Sequence, residues 1–144
     1  MFLERKEDAV AAILCAGFGT RLRPITDWLP KPALPFLGHP IAAYALHALQ
    51  GARIGEIAVN THYLPEIMEK ALRESRFYDG GLHFFREEGE ILGTGGGLRE
   101  LARLLPRNRT IVLYHGDVLS SVSIAEALSS HRASGAKLTL VLAL

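Results

Sequence analysis

Short apolar segments alternate with amphipathic segments along the sequence, at a spacing of roughly 25 residues. Strands that helices bury on both faces read as continuous apolar runs, whereas half-exposed strands alternate polar and apolar residues. The pattern therefore predicts an α/β fold in which helices cover a mostly parallel sheet. The predicted strands are residues 10–16, 56–60, 82–86, 110–115 and 137–142.

Four amphipathic segments between these runs predict helices with recognisable ends. A proline opens the first two, over residues 40–50 and 65–75, because the first turn of a helix does not need its N–H. Thr94 is predicted to cap the third helix. Ser123 with Glu126 forms a capping box for the fourth, which is predicted to end at Gly135. The side chains predicted to face the core are Ile41, Tyr44, Ala45, Ala48 and Leu49 in the first helix, Ile67, Met68, Ala71 and Leu72 in the second, and Leu98, Leu101, Ala102 and Leu105 in the third.

The length and composition fit one globular domain over residues 1–144, or a piece of a larger one, with 49% apolar residues to form its core. The 16 Lys and Arg residues nearly balance the 15 Asp and Glu residues, and this net charge of +1 argues against nucleic acid as a partner. No apolar run approaches the roughly 18 residues of a membrane span, so we expect no membrane partner. The single cysteine cannot form an internal disulfide, which leads us to expect a cytoplasmic protein.

The connection between the first strand and the first helix is the exception to this pattern. It extends over residues 17–38 and contains Pro24, Pro30, Pro32 and Pro35. Compact domains seldom keep so long an irregular connection unless it has a function. We therefore predict that the chemistry of the protein lies in this segment.

Gly17 and Gly19 directly follow the first strand, where glycine lets the backbone turn sharply and present its N–H groups to an anion. The glycines fit neither a dinucleotide fingerprint, which needs a third small residue, nor a P-loop, which needs Gly-Lys-Ser/Thr. The loop instead carries cations: Arg21 follows the glycines, and Lys31 lies between two prolines that restrict its backbone. This set predicts a polyphosphate site, and the alternative is a surface loop with solvated charges.

The segment with these glycines, prolines and cations reads LCAGFGTRLRPITDWLPKPALPFLGHPI. It resembles the signature of the sugar-1-phosphate nucleotidylyltransferases, Gly-x-Gly-Thr-Arg-Leu-x-Pro-x-Thr followed by Pro-Lys-Pro. The resemblance implies the fold of the nucleotide-diphospho-sugar transferases, a Rossmann-like three-layer sandwich. It also implies an enzyme that joins a nucleoside triphosphate (NTP) to a sugar 1-phosphate and releases pyrophosphate.

Roles for individual residues follow from this resemblance. The residues of the loop that it implies for nucleotide binding are Ala16, Gly17, Gly19 and Thr20. The two implied catalytic residues are Arg21 and Lys31, which would contact the phosphates around the reacting centre. Cys15 stands where the family usually has alanine, and this is a change between two small residues.

A second glycine cluster, residues 93–97, opens the predicted third helix. Each interior glycine destabilises a helix by about 1 kcal/mol relative to alanine, and a sequence accepts this loss where something approaches the backbone closely. A flexible helix start or tight packing of the helix on a strand is the alternative. The cluster resembles the family's Leu-Gly-Thr-Ala-Gly segment, which implies that Gly93, Thr94 and Gly95 border the base and ribose.

Asp117 follows the predicted strand 110–115 in the tripeptide His115-Gly116-Asp117. Because the ligands of an open parallel sheet gather at the carboxyl ends of its strands, Asp117 is predicted to share a crevice with the Gly17 loop. A Gly-Asp pair alone is typical of a plain turn. The resemblance to the family's Asn-Gly-Asp motif implies instead that Asp117 binds Mg²⁺, with His115 in place of the asparagine.

Two substrate classes within the family fit the sequence. We favour a mannose-1-phosphate guanylyltransferase over a uridylyltransferase that acts on N-acetylmuramate 1-phosphate or another hexose 1-phosphate. A non-catalytic nucleotide-binding regulatory domain is the alternative from another class, and a homo-oligomer stays open. The resemblance covers only about the first half of the family's catalytic domain, so we expect an N-terminal fragment with little activity on its own.

Overall fold

The computed structural model describes residues 8–142 of the chain. Within that range the chain forms six strands and four helices. The strands are β1 (Ala9–Leu14), β2 (Pro35–Phe36), β3 (His39–Pro40), β4 (Glu56–Thr61), β5 (Gly81–Arg86) and β6 (Thr110–His115). The helices are α1 (Ile41–Gly51), α2 (Pro65–Arg73), α3 (Gly93–Leu104) and α4 (Ile124–Ser134).

β1 lies inside a four-stranded parallel sheet with the order β5-β4-β1-β6. Ala12, in the middle of β1, pairs with Ala58 of β4 on one side and with Leu113 of β6 on the other. The predicted parallel sheet is thus confirmed. The strand order reverses at β1, because β4 and β5 add to one side of it and β6 to the other. Such a reversal opens a crevice between the carboxyl ends of the two strands that flank it.

Successive residues of β1 point to opposite faces of the sheet and enter two separate cores. Ala11 and Ile13 join the larger core, which α1, α2 and α4 cover. Val10 and Ala12 join the smaller core, which α3 covers. The chain is therefore a three-layer α/β sandwich, as predicted. In the part of the chain that the structure describes, no helix is both long and apolar enough to cross a lipid bilayer.

Several helix ends follow the predicted signals. Pro40 immediately precedes α1, and Pro65 is the first residue of α2. The Ser123 hydroxyl accepts a hydrogen bond from the backbone N–H of Glu126 at 3.3 Å, which caps α4. The same helix ends at Gly135, whose φ of 62° lies in the left-handed region that glycine adopts readily.

The start of α3 differs from the prediction. Thr94 does not cap this helix, because α3 begins at Gly93, two residues earlier than a cap at Thr94 would place it, and Leu92 occupies the capping position. The Glu87 carboxylate accepts a hydrogen bond from the Leu92 N–H at 2.9 Å. An acidic side chain from the end of β5 therefore holds the helix start, in place of a local hydroxyl.

The buried faces of the helices only partly match the prediction. In α1 the buried residues are Ala42, Ala43, Ala45, Leu46 and Leu49, whereas the predicted Ile41, Tyr44 and Ala48 are half-buried. Residues 31–40 pack on α1, as the sheet also does. The buried part of the helix surface is therefore wider than the single face that the sequence predicts. In α2, Met68 and Leu72 are buried as predicted, but Ile67 is exposed.

Residues 137–142 do not form the predicted strand, and they join neither sheet of the described chain. The segment lies beside β6 and α4 with a cavity between them, and Leu138, Leu140 and Leu142 are exposed. An apolar run forms a strand only when it pairs with another strand, and this one does not pair with β6, although β6 is at the edge of the sheet. β6 itself alternates between half-buried and exposed residues and is not the buried strand that the sequence predicts.

The connection over residues 17–38 folds into local structure that the sequence analysis missed. It contains three short 3-10 turns, at Thr20–Leu22, Ile25–Asp27 and Lys31–Ala33, and leads into the hairpin of β2 and β3. Thr26 holds this connection together, since its side chain is buried and its hydroxyl donates a hydrogen bond to the Gly19 carbonyl at 3.0 Å. The glycine loop is therefore a fixed part of the fold.

Truncating a leucine of α1 tests the assignment of the larger core. Leu46 is fully buried in this core, so Leu46→Ala is expected to lower the free energy of unfolding by about 2–5 kcal/mol through lost apolar contact and a residual cavity. Leu104→Ala is the matched control, because this leucine at the end of α3 is 40% exposed and its truncation is expected to cost less than about 1 kcal/mol. Denaturant unfolding of both variants measures the difference. Equal losses would contradict the core described above.

Candidate active site

A cavity of about 430 Å³ lies at the carboxyl ends of β1, β4 and β6. It occupies the crevice that the reversed strand order creates beside β1. The predicted site residues that line it are Ala16, Gly17, Gly19, Arg21, Lys31, Gly93, Thr94 and Asp117. Thr20 and Gly95 are not part of this lining, whereas Cys15, Asn60, Ile91 and His115 belong to it without having been predicted.

Gly19 is required by the geometry of the loop that follows β1. Its φ of 63° is left-handed, and a Cβ atom on it would lie 3.0 Å from Thr26 Cγ2 and 3.1 Å from Lys31 Cβ. Any larger residue would therefore be strained and would also push the glycine loop away from Lys31. Gly17, by contrast, has nothing within 4 Å of its Cβ position, so its backbone faces open space at the cavity.

Lys31 and Asp117 meet across the cavity, although 86 residues separate them in the sequence. The Lys31 Nζ donates a hydrogen bond to Asp117 Oδ2 at 2.6 Å, and the two side chains are 33% and 34% exposed. Lys31 begins a 3-10 turn whose Pro32 and Ala33 are buried, so the backbone that carries the ammonium is anchored. The structure thus brings the predicted cation and the predicted carboxylate of the site together.

The protonation of the site follows from burial and from this ion pair. Burial acts to raise the pKa of Asp117, but the hydrogen bond and charge of Lys31 outweigh it and hold the pKa below its ordinary value. The carboxylate is therefore ionised at neutral pH. Burial, with a contribution from the Asp117 charge, raises the pKa of the Cys15 thiol far above its ordinary value. The thiol stays neutral, which excludes it as a nucleophile at this wall.

The donor set fits a divalent cation that a polyphosphate brings with it. Asp117 is the one carboxylate among the described residues that line the cavity, and its oxygen atoms suit a hard cation. Among residues 8–142, no cluster of three or more His, Cys, Asp or Glu side chains is arranged to hold a metal ion by itself. Mg²⁺ commonly binds through one or two carboxylates together with water and substrate phosphates. Asp117 matches that mode of binding.

A buried polar network that reaches the cavity at Asn60 was missed by the sequence analysis. Asn60 Oδ1 accepts a hydrogen bond from the Cys15 N–H at 2.8 Å, and Asn60 Nδ2 donates one to Glu87 Oε1 at 2.6 Å. Glu87 Oε2 accepts the N–H of Leu92. A signal was present, because Asn60 and Glu87 stand at the ends of neighbouring strands, the same feature that identified Asp117.

The chain belongs to the nucleotidyl transferase family, whose pattern matches residues 10–144. It is 38% identical over 132 residues to a mannose-1-phosphate guanylyltransferase of Mycobacterium tuberculosis, and these residues make up 92% of this chain and 36% of that protein. It is 34% identical over 140 residues to a UTP–glucose-1-phosphate uridylyltransferase of Synechocystis sp., with 91% of this chain and 36% of that protein covered. The family resemblance of the sequence is thus confirmed.

The solved structure of HddC from Yersinia pseudotuberculosis has the same fold. The match has a TM-score of 0.72 at 22% sequence identity, and it covers 84% of this chain and 53% of that one. The type of fold that the sequence implied is therefore confirmed. The chain spans 36% of the length of each of the two relatives named above.

Two glycine substitutions in the first turn of α3 test how closely this helix packs on the network. A Cβ atom on Gly97 would lie 2.7 Å from Asn60 Nδ2 and 3.1 Å from Glu87 Oε1, so Gly97→Ala is expected to destabilise the protein by about 1–3 kcal/mol. Gly95 has nothing within 4 Å, and Gly95→Ala is expected to be neutral or to stabilise by up to about 1 kcal/mol through helix propensity. Thermal unfolding compares the two variants. Effects of the same sign and size would show that the packing is looser than described.

Proposed function

We propose that this chain is the N-terminal, nucleotide-binding part of a catalytic domain that transfers a nucleotidyl group from an NTP to a sugar 1-phosphate. The products are an NDP-sugar and pyrophosphate. The observation that carries the proposal is the contact of Lys31 with Asp117 at 2.6 Å, inside a cavity that the glycine loop also lines. Membership of the nucleotidyl transferase family supports the same conclusion.

The reaction requires positioning and charge more than covalent chemistry from the protein. An oxygen of the sugar phosphate attacks the α-phosphorus of the NTP in line. The bond from that phosphorus to the bridging oxygen of the β-phosphate breaks, and pyrophosphate leaves with the electron pair. The protein must therefore align the triphosphate for in-line attack and offset the negative charge that develops on the leaving pyrophosphate.

The residues of the cavity divide this task. The open backbone at Gly17 and the tight turn at Gly19 let the nucleotide approach the main chain closely. Arg21 offers a planar guanidinium that binds phosphate through two hydrogen bonds, and Lys31 offers a compact charge on an anchored turn. Gly93 and Thr94 form the wall where the base and ribose are proposed to lie.

Asp117 is the residue proposed to hold Mg²⁺ together with the oxygens of the substrate. When bound, Mg²⁺ would offset phosphate charge as a Lewis acid. The short contact with Lys31 keeps the Asp117 carboxylate ionised and facing the cavity. The two residues therefore support each other before any substrate binds.

The preferred substrates are GTP and mannose 1-phosphate, since the relatives of 34–38% identity include several mannose-1-phosphate guanylyltransferases. A uridylyltransferase acting on a hexose 1-phosphate is the second candidate, because the Synechocystis relative carries that name. We place the protein in the cytoplasm, because its single cysteine cannot form an internal disulfide.

Replacing the two charged residues tests the proposal. Lys31→Ala and Asp117→Asn are each expected to lower turnover on the order of 100-fold or more, as the loss of one preorganised charge does at other oxyanion sites. The matched controls are Lys70→Ala and Asp79→Asn, whose side chains lie outside the cavity and pair with Glu74 and Gln50. The measurement is Mg²⁺-dependent release of pyrophosphate by the intact protein, with GTP and mannose 1-phosphate compared with UTP and glucose 1-phosphate.

Three outcomes separate the alternatives. Near-normal turnover in both variants would contradict the assignment of Lys31 and Asp117. Binding of NTP without pyrophosphate release for any substrate pair would identify a regulatory nucleotide-binding domain instead. Full turnover by residues 1–144 alone would contradict the proposal that they form only part of a catalytic domain.

A further inference from the structure

The two walls of the cavity that face each other come from segments far apart in sequence. One wall is the loop after β1, and the other is the first turn of α3 with Gly93 and Thr94. The described structure joins the backbone of Cys15 to that of Leu92 through two side chains, Asn60, which also lines the cavity, and Glu87. Each wall is thus tied to the same amide–carboxylate pair.

This pair is almost entirely withdrawn from water, with Asn60 2% exposed and Glu87 5% exposed. Both carboxylate oxygens of Glu87 accept hydrogen bonds from neutral groups, the Asn60 amide and the Leu92 N–H. Burying a carboxylate in this way carries a desolvation penalty, and apolar residues of similar volume often make a core equally stable or more stable. Stability alone therefore does not account for these two residues.

The packing of α3 shows what the pair controls. The helix rests on it directly, since a Cβ atom on Gly97 would come within 2.7 Å of Asn60 Nδ2. The hydrogen bond to Leu92 fixes the residue just before Gly93, and the hydrogen bond from Cys15 fixes the residue just before Ala16. The separation of the two walls is consequently set by a chain of three hydrogen bonds of 2.6–2.9 Å.

We propose that Asn60 and Glu87 are positioning residues, whose hydrogen bonds set the spacing between the loop after β1 and the first turn of α3. They act through the backbone of Cys15 and Leu92. The inference rests on the proposed function, because it concerns how the same cavity holds an NTP. It predicts that nucleotide affinity depends on the hydrogen bonds of the pair and not on which of the two positions carries the amide.

A reversal of the donor and the acceptor tests this. Asn60→Asp alone places two carboxylates face to face, and Glu87→Gln alone sets an amide N–H₂ group against either the Asn60 amide or the Leu92 N–H. The double variant restores all three hydrogen bonds and reverses the direction of the one between residues 60 and 87. The new aspartate accepts from Cys15 and from the new glutamine amide, whose oxygen accepts from Leu92.

The measurement is the affinity of the intact protein for GTP and for UTP by calorimetry, together with its thermal unfolding. Each single variant is expected to lose at least about 10-fold in affinity, and the double variant to recover to within about 3-fold of the parent protein. Single variants with unchanged affinity, or a double variant no better than the singles, would overturn the inference. Failure of the parent protein to bind any NTP would overturn the proposed function itself.

An apolar replacement keeps the test decisive if the single variants do not fold. Asn60→Leu combined with Glu87→Met fills the same space without the polar pair, so the core is retained while the Cys15 and Leu92 N–H groups lose their partners. This variant is expected to fold and to bind GTP at least about 10-fold more weakly than the parent protein. Full affinity in the folded apolar variant would show that the pair has only a structural role.

Discussion

The contact between Lys31 and Asp117 depends on the order of the strands. β1 and β6 pair with each other in the sheet although four other strands separate them in the chain. The residues that follow each of them form one side of the site. Parallel alignment is essential, since an antiparallel β6 would carry Asp117 to the far edge of the sheet. The apolar residues of β1, buried on both faces, thus determine where charges meet that lie outside the core.

The parts of the structure that follow from general rules could be predicted from the sequence. Apolar runs located the strands of the sheet, and the rule that ligands gather at strand ends placed Asp117 beside the glycine loop. Residues 137–142 show the limit of this approach, because an apolar run does not specify which strand it pairs with, and this one stays unpaired beside the edge strand β6. The role of Thr94 was misjudged for a related reason: its competitor, Glu87, reaches the helix start from another element.

The site also contains residues that stabilise the fold less than the alternatives would. Glycines occupy the first turn of α3, a carboxylate is buried without a cation in its hydrogen bonds, and a charged pair is only one-third exposed. Each of these features is less stable than a plain alternative. They concentrate around one cavity, while the two apolar cores on either side of the sheet supply the compensating stability.

The position of Cys15 makes it a natural probe of local motion. It is the single cysteine of the chain, it is 2% exposed, and its thiol is neutral, so alkylating reagents react with it slowly unless the cavity wall at the end of β1 opens locally. Its backbone N–H donates the hydrogen bond to Asn60 that holds the start of the loop after β1. The rate at which this thiol is labelled therefore reports local opening at the base of that loop, without any engineered probe.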